Sequence, residues 1–284
     1  MPHTDQDATT MQLEKAAGAL GAYVWDAPLA QAAGSAELFD EVAAALNVHG
    51  VLFFRNQDIE AEDLARFARR FGKVEAHPAY PTVAGVPDVQ ILESTADVPS
   101  KIEAWHTDMT FRPHPPIITV LHGQVVPPYG GDTLWASTTA AYEALSAPIQ
   151  ELIDGLTAVH DFRHGFRESL AEPGGPQRLA PAIAENPPVE HPVARVHPAT
   201  GRKALYVNSL FTTRIQGLSV LESESLLELL CRQVVREEFT VRLRWKVGTV
   251  AVWDNRATQH KPVNDFFPQH RKMHRVTIAD GQAA

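Results

Sequence analysis

The chain has 284 residues, of which 44% are hydrophobic, so it is long enough to bury a substantial core in one large domain or two small ones. Its formal net charge of −9, with no basic patch interleaved with aromatic residues, argues against nucleic acid or an anionic membrane as a partner. The single cysteine excludes an intramolecular disulfide, and the polar N-terminus carries no secretory or transit signal, so we expect a cytoplasmic protein.

The predicted elements begin after a polar tail, residues 1–12, which we expect to be disordered. Two amphipathic helices follow, ELFDEVAAALNVH and EAEDLARFARRF, with the strand VLFFR between them; Gly50 and Gly72 are placed to end these helices. From about Val89 the sequence changes to short strands separated by turn residues, with one further helix in ESESLLELLCRQVV. This pattern predicts a single, mainly β domain over residues 13–284, a sandwich or barrel with flanking helices.

The strand pattern is clearest in VRLRWKV, residues 241–247. Val241, Leu243, Trp245 and Val247 alternate there with arginine and lysine. The alternation predicts one buried face across the whole segment.

Residues 163–190 lack the pattern of short strands that the rest of this region shows. The segment carries Gly165, Gly174, Gly175 and five prolines, and it is too long for an ordinary connection. We interpret it as a mobile lid inserted over a site.

The stretch AWHTDMTF, residues 104–111, places an imidazole and a carboxylate two positions apart between large aromatic side chains. In a β-strand, His106 and Asp108 would point to the same face, where an unpaired charge turned toward an apolar interior costs several kcal/mol. A second histidine in an unusual context, His260, follows the buried-looking strand of AVWDNRATQH. Two imidazoles and one carboxylate are the ligand set that holds Fe(II) on one face and leaves the other coordination positions open.

The open positions suit a chelating 2-oxo acid, whose far carboxylate would need a cationic partner, for which arginine suits better than lysine. Arg271 and Arg275 in RKMHR are four residues apart and would lie on one face of a strand, and Thr133 in GGDTLWAS offers a hydroxyl. A zinc hydrolase could use the same two histidines and aspartate. A non-catalytic anion-binding protein could retain either arginine, so both alternatives stay open.

In their order and spacing, these segments resemble the taurine dioxygenase group of Fe(II)- and 2-oxoglutarate-dependent oxygenases, which also includes alkylsulfatases and phenoxyalkanoate dioxygenases. The resemblance covers about residues 20–280 and rests on HPAYP, WHTDMTF, GGDTLWAS, HPATGRKALYVN, RWKVGTVAVWDNRATQH and RKMHR. It implies a double-stranded β-helix core (jelly-roll, cupin-like), mainly β with flanking helices. It also implies that His106, Asp108 and His260 bind Fe(II), that Thr133 and Arg271 bind 2-oxoglutarate, and that O2 is the third reactant.

The resemblance further implies a substrate site, with Arg275 near the anionic head of the substrate. The matching positions are His77, Tyr80, Met109, Phe166, Phe211 and Arg275. The implied reaction hydroxylates the carbon next to sulfur or oxygen of a small anionic substrate and releases sulfite or sulfate, an aldehyde, succinate and CO2. We expect a sulfonate such as taurine, with an alkyl sulfate ester or a phenoxyalkanoate as alternatives; relatives commonly form homo-oligomers.

The sequence departs from the taurine-specific pattern at three positions. Ile102 stands where an asparagine is expected, Gly165 where a serine is expected, and Met109 where a smaller valine is expected. These changes remove polar groups from the expected amine end of the substrate, and an apolar site discriminates weakly between ligands. A more apolar sulfonate or sulfate ester is therefore a candidate comparable to taurine.

Overall fold

The computed structural model describes residues 11–75 and 80–281. The strands are β1 (Gln12–Lys15), β2 (Ala22–Trp25), β3 (Val51–Phe54), β4 (Thr82–Val83), β5 (Val86–Ser94), β6 (Ile118–Val125), β7 (Thr133–Ser137), β8 (Thr157–His160), β9 (Val189–Pro192), β10 (Ala194–Val196), β11 (Lys203–Leu205), β12 (Thr212–Ile215), β13 (Thr240–Leu243), β14 (Val250–Asp254), β15 (Thr258–Pro262) and β16 (Arg271–Ile278). The helices are α1 (Leu29–Ala32), α2 (Ala36–His49), α3 (Ala61–Arg69), α4 (Thr138–Glu143), α5 (Ala147–Ile153), α6 (Phe162–Gly165), α7 (Arg167–Ala171), α8 (Gly175–Glu185) and α9 (Val220–Val234).

Two sheets face each other across an aromatic core. The larger sheet has eight strands in the order β1-β2-β3-β14-β6-β16-β5-β4, in which only the β2–β3 pair is parallel. The strands β13, β7 and β15 form a three-stranded sheet. Between the two sheets, the ring of Trp135 on β7 lies 5.6 Å from that of Trp253 on β14 and 5.3 Å from that of Phe53 on β3. The domain is therefore rich in short strands, as the sequence predicted.

Helices α2 and α3 cover the outer face of the large sheet. Ser35 caps α2 by accepting from the backbone N–H of Leu38, and Gly50, with φ 69°, ends it in the left-handed region that glycine adopts most readily. Leu52 and Phe54 pack toward these helices, whereas Val51 and Phe53 face the aromatic core. Because β3 is covered on both faces, all four of its residues, VLFF, are hydrophobic. The predicted helices and this strand are confirmed.

The stretch AWHTDMTF does not form a strand, so strand alternation does not explain why His106 and Asp108 lie close together. His106 makes only an isolated bridge to His260, and the chain then turns through residues 108–111, where Met109 has φ 48°. Two backbone hydrogen bonds form the bridge, from His106 N to His260 O (3.0 Å) and from His260 N to His106 O (2.8 Å). The turn, and not strand alternation, brings the side chain of Asp108 back toward His106.

Two further expectations change in detail. Strand β13 ends at Leu243, and Val247 lies in the following turn with 65% of its surface exposed, so the predicted buried face stops at Trp245. Residues 163–190 are largely helical, since α6, α7 and α8 occupy most of them. No helix in the described part of the chain is long and apolar enough to cross a membrane.

Candidate metal centre and its cavity

Three side chains with metal-ligating atoms converge at one point. One ligand atom from each of His106, Asp108 and His260 lies within 4.8 Å of the other two, and all three residues are buried. The Nε2 atoms of His106 and His260 are 3.8 and 3.9 Å from Oδ1 of Asp108. These separations are too long for hydrogen bonds, and a shared metal ion would satisfy all three atoms. The structure thus brings together the three predicted ligands.

Burial and neighbouring charges set the protonation of the three ligands. Burial and the neighbouring His106 lower the pKa of His260 to about 3, and burial also lowers the pKa of His106. Burial acts to raise the pKa of Asp108, but His260, Arg275 and His106 outweigh it and the pKa is lowered. At neutral pH the site therefore presents two neutral imidazoles and a carboxylate, the forms that bind metal ions.

A chain of hydrogen bonds orients the Asp108 carboxylate. The Thr119 hydroxyl donates to Oδ2 of Asp108 at 2.9 Å, and the Asn255 side-chain amide donates to the Thr119 oxygen at 2.8 Å. The indole N–H of Trp253 in turn donates to Oδ1 of Asn255 at 3.0 Å. The other carboxylate oxygen, Oδ1 of Asp108, is left facing the two histidines. The roles of Thr119 and Asn255 were not predicted from the sequence.

A second network supports the turn behind the metal centre. The Thr110 hydroxyl lies 2.9 Å from Nδ1 of His160 and accepts from the Asn208 side-chain amide at 3.1 Å. Nε2 of His191 lies 2.9 Å from the Thr110 carbonyl and donates to it. Burial and the nearby His191 lower the pKa of His160 to about 3, so its imidazole is neutral at physiological pH. No role was predicted for His191.

The predicted 2-oxo acid residues, Thr133 and Arg271, line the same cavity as the metal centre. The Trp245 indole N–H donates to the Thr133 hydroxyl oxygen at 3.0 Å, which leaves the hydroxyl hydrogen available to another acceptor. Nε of Arg271 is buried without a hydrogen-bond partner, and no acidic side chain in the described ranges forms an ion pair with this arginine. Burial lowers the pKa of Arg271 to about 10, against the opposing effect of Asp132, so it is still charged at neutral pH. A buried cation of this kind fits a ligand carboxylate.

Arg275 extends from the same face of β16 as Arg271, because the two are four residues apart in a strand. It is 9% exposed, its Nη2 donates to Oε1 of Gln90 at 3.2 Å, and its guanidinium lies 4.8 Å from the ring centre of Tyr80. Its charge contributes to the lowered pKa values of all three metal-ligand candidates, which places a fixed positive charge beside the metal centre.

A cavity of about 670 Å³ joins these groups. The other predicted site residues that line it are Tyr80, Met109, Thr133, Phe166, Phe211, Arg271 and Arg275. One wall is formed by Met109, Phe111, Leu210 and Phe211, which belong with Phe162 to an apolar cluster against which Ile102, Ala104 and Phe166 pack. His77 lies outside the described residues. The cavity is thus cationic at Arg271 and Arg275 and apolar along the wall formed by this cluster.

Comparison with known proteins finds similarity along nearly the whole chain. The model of the family "Taurine catabolism dioxygenase TauD, TfdA family" matches residues 12–277. An alkylsulfatase of Acinetobacter baylyi is 38% identical, over 95% of this chain and 85% of that protein. An alpha-ketoglutarate-dependent sulfate ester dioxygenase of Pseudomonas putida is also 38% identical, over 97% of this chain and 92% of that protein. The crystal structure of a taurine dioxygenase from Burkholderia xenovorans superposes with a TM-score of 0.81 at 36% identity, over 95% of this chain and 89% of that one.

Proposed function

Because this chain belongs to the TauD, TfdA family and is an Fe(II)- and 2-oxoglutarate-dependent dioxygenase, we propose that it hydroxylates the carbon next to sulfur or oxygen in a small organosulfur anion. The observation that carries this proposal is the buried Arg275 beside the cluster of His106, Asp108 and His260. The arginine gives an anionic head a fixed partner close to the metal ligands, so the adjoining carbon would lie where the oxidation occurs.

The two histidines and Asp108 would hold Fe(II), and the donor set fits this ion. When bound, Fe(II) with 2-oxoglutarate and O2 supplies the oxidising power that converts a C–H bond to C–OH, while 2-oxoglutarate becomes succinate and CO2. The carbonyl of Ala104, 2.9 Å from Nδ1 of His106, keeps Nε2 directed at the site, as Thr119 does for Asp108.

Arg271 and Thr133 would bind the far carboxylate of 2-oxoglutarate. The unpaired Nε of Arg271 and the remaining hydrogen of the Thr133 hydroxyl supply two donors to it. A zinc hydrolase does not require a binding site for a 2-oxo acid. A protein that only binds anions does not require three metal ligands. The presence of both features therefore favours the oxygenase over either alternative.

The apolar wall favours a substrate with an alkyl chain over taurine, whose amine is charged. Ile102, Met109 and Phe211 offer no polar side-chain partner to an ammonium group, whereas an apolar chain would exclude water from the reacting carbon. Hydroxylation would give an unstable α-hydroxy sulfonate or sulfate: its hydroxyl loses a proton to solvent, a carbonyl forms, and the C–S or C–O bond breaks. Sulfite or sulfate leaves with the bonding electrons, and an aldehyde remains. Taurine and the phenoxyalkanoates stay as alternative substrates.

Several finer features belong to the same proposal. We infer that the two facing sheets form a double-stranded β-helix within a single domain over residues 13–284. Residues 163–190 would act as its lid, supported by Phe166, which lines the cavity, and by the ion pair of Glu172 with Lys101, which also lines the cavity. His77 remains a predicted substrate-binding residue, and a cytoplasmic location and homo-oligomers remain predictions.

The proposal is tested by loading the protein with Fe(II) under anaerobic conditions and measuring succinate with 2-oxoglutarate and O2. The panel contains alkyl sulfates, alkyl sulfonates, taurine and a phenoxyalkanoate, with sulfite and sulfate measured in parallel. We expect succinate and sulfate, or succinate and sulfite, in equal amounts with a compound that carries an alkyl chain. Succinate formation that no organosulfur compound stimulates would contradict the proposed substrate class.

A further inference from the structure

Gly165, the last residue of α6, lies directly against the ring of Phe211. A Cβ atom built on Gly165 would be 2.3 Å from Cε1 and 2.5 Å from Cδ1 of that ring, far inside van der Waals contact. Gly165 has a helical backbone, so the absence of a side chain is required here by space and not by backbone conformation. Any larger residue at this position would force the Phe211 ring to move.

The direction of that movement is limited by what holds Phe211. Its backbone N–H donates to Oδ1 of Asn208 at 2.9 Å, and its carbonyl accepts from the backbone N–H of Asp161 at 2.9 Å. The ring packs edge-on against Phe111, with 5.0 Å between ring centres, and lies 6.3 Å from the ring of His106. Because the backbone is anchored and Phe111 lies behind the ring, the space open to it is the cavity that Phe211 lines.

We propose that the contact between Gly165 and Phe211 sets the size of the apolar compartment beside His106, and thereby the length of carbon chain that a substrate can carry. This inference rests on the proposed function, because it takes the substrate to be an organosulfur anion held at Arg275. Phe211 contacts the chain of the substrate, and Gly165 acts as a positioning residue that allows the Phe211 ring to stay clear of the compartment. The remaining walls are Ile102, Met109 and Phe166.

The test compares the wild type with Gly165→Ala, Phe211→Ala and the double variant. Gly18→Ala is the matched control, since Gly18 is exposed and nothing lies within 4 Å of a Cβ built on it. For ethyl, butyl, hexyl and octyl sulfate, kcat/KM is measured with the iron-loaded enzyme, and the affinity for the same compounds is measured by calorimetry with the metal-free protein. The KM for 2-oxoglutarate and the Tm are measured for each variant.

We expect Gly165→Ala to lower kcat/KM for octyl sulfate by about tenfold or more relative to ethyl sulfate, the size of effect that a filled apolar pocket produces. The KM for 2-oxoglutarate should not change. The double variant should recover the kcat/KM for octyl sulfate, because the ring that the Gly165→Ala substitution would displace is absent. An equal loss at every chain length, or no recovery in the double variant, would overturn the proposal. Should Gly165→Ala fail to fold, Phe211→Ala decides alone: its preference should move toward longer chains, and an unchanged profile would overturn the proposal.

The binding measurement separates this inference from the proposed function. If the wild type turns over no organosulfur compound, the proposed function fails; a chain-length effect on affinity that appears in Gly165→Ala and disappears in the double variant would still support the size determinant. If turnover is observed but the two substitutions act additively on affinity, the size determinant fails and the proposed function stands. If the wild type binds none of the alkyl sulfates, the size determinant is overturned, and the proposed function then depends on turnover of the sulfonates.

Discussion

The metal-binding end of the cavity and its apolar wall are held in place by different forces. Asp108 is oriented by a series of directional hydrogen bonds through Thr119 and Asn255, all buried. The wall is held by edge-to-face packing, with the ring of Phe111 5.1 Å from that of Phe162 and 5.0 Å from that of Phe211. A buried polar network tolerates no unpaired member, whereas an apolar cluster accepts changes that conserve its volume. The metal-binding end is thus rigidly specified, and the apolar end, where we propose that the carbon chain of the substrate lies, can be altered with less damage.

The largest expected effect is at the metal ligands. His106→Ala or Asp108→Ala should abolish both turnover and stoichiometric Fe(II) binding with little loss of fold, because two ligands do not complete the facial set. Iron content and succinate formation measure this, and His114→Ala, at an exposed histidine, is the control. Full activity in either ligand variant would refute the metal assignment.

The next effect separates the two arginines. Arg271→Ala should raise the KM for 2-oxoglutarate by roughly 10- to 150-fold, because it removes charge-assisted hydrogen bonds of about 1.5 to 3 kcal/mol. Arg275→Ala should chiefly raise the KM for the organosulfur substrate. Steady-state kinetics with each reactant varied in turn tests this, and equal penalties on both reactants in both variants would show that the arginines do not have separate roles.

Loss of the hydrogen bond to Asp108 should have an effect of about 10- to 100-fold on Fe(II) affinity. Thr119→Val removes the hydroxyl that donates to the carboxylate and leaves the Asn255 amide without its acceptor. Thr119→Ser keeps the hydroxyl and is the matched control. Metal titration followed by calorimetry measures both variants, and equal affinities for valine and serine would mean that packing alone holds the carboxylate.

The polar network behind the turn should make the free energy of unfolding depend on pH, whereas the apolar wall should not. Burial holds the pKa of His160 at about 3, so as the pH falls below about 6.5 the unfolded chain takes up a proton that the folded chain does not. Stability is therefore full above this range and falls by about 2 kcal/mol at pH 5 from this residue. Urea unfolding at pH 7 and pH 5 should show a smaller difference in His160→Gln than in the wild type. The same difference in both, or a matching change in the exposed control His114→Gln, would argue against His160 as the origin.

The smallest effect is expected within the wall. Ile102→Val removes one methylene from a half-buried side chain that lines the cavity, which costs about 0.5 to 1.5 kcal/mol in a packed site. Turnover of a long alkyl sulfate should fall by no more than about tenfold, and the KM for 2-oxoglutarate should stay constant. A fall in turnover as large as the fall in Fe(II) affinity caused by Thr119→Val would remove the distinction between the two ends of the cavity.

Sequence reasoning could reach the parts of this site that local pattern and family spacing define. The two-residue period of a strand placed Arg271 and Arg275 on one face, and Gly50 marked the end of α2. The hydrogen-bond partners were out of reach, because Thr119 and Asn255 are 136 residues apart and meet only after the strands have paired.

The backbone conformation around His106 could not be read from the sequence for a related reason. A turn with Met109 at positive φ can bring His106 and Asp108 to one point as well as strand alternation can, and nothing in AWHTDMTF distinguishes the two. The contact of Gly165 with Phe211 likewise depends on tertiary structure, although the glycine itself stood out in the sequence as a departure from the family pattern.

The backbone bridge between His106 and His260 has a consequence for how the enzyme is made. The bridge joins residues 154 positions apart (260 − 106), so the metal centre cannot form until most of the chain has left the ribosome. A nascent chain therefore cannot capture iron through this site early in its synthesis. Iron loading through this site therefore follows the synthesis of His260, and because the ion would bind only the folded form, it would also protect the finished protein against unfolding.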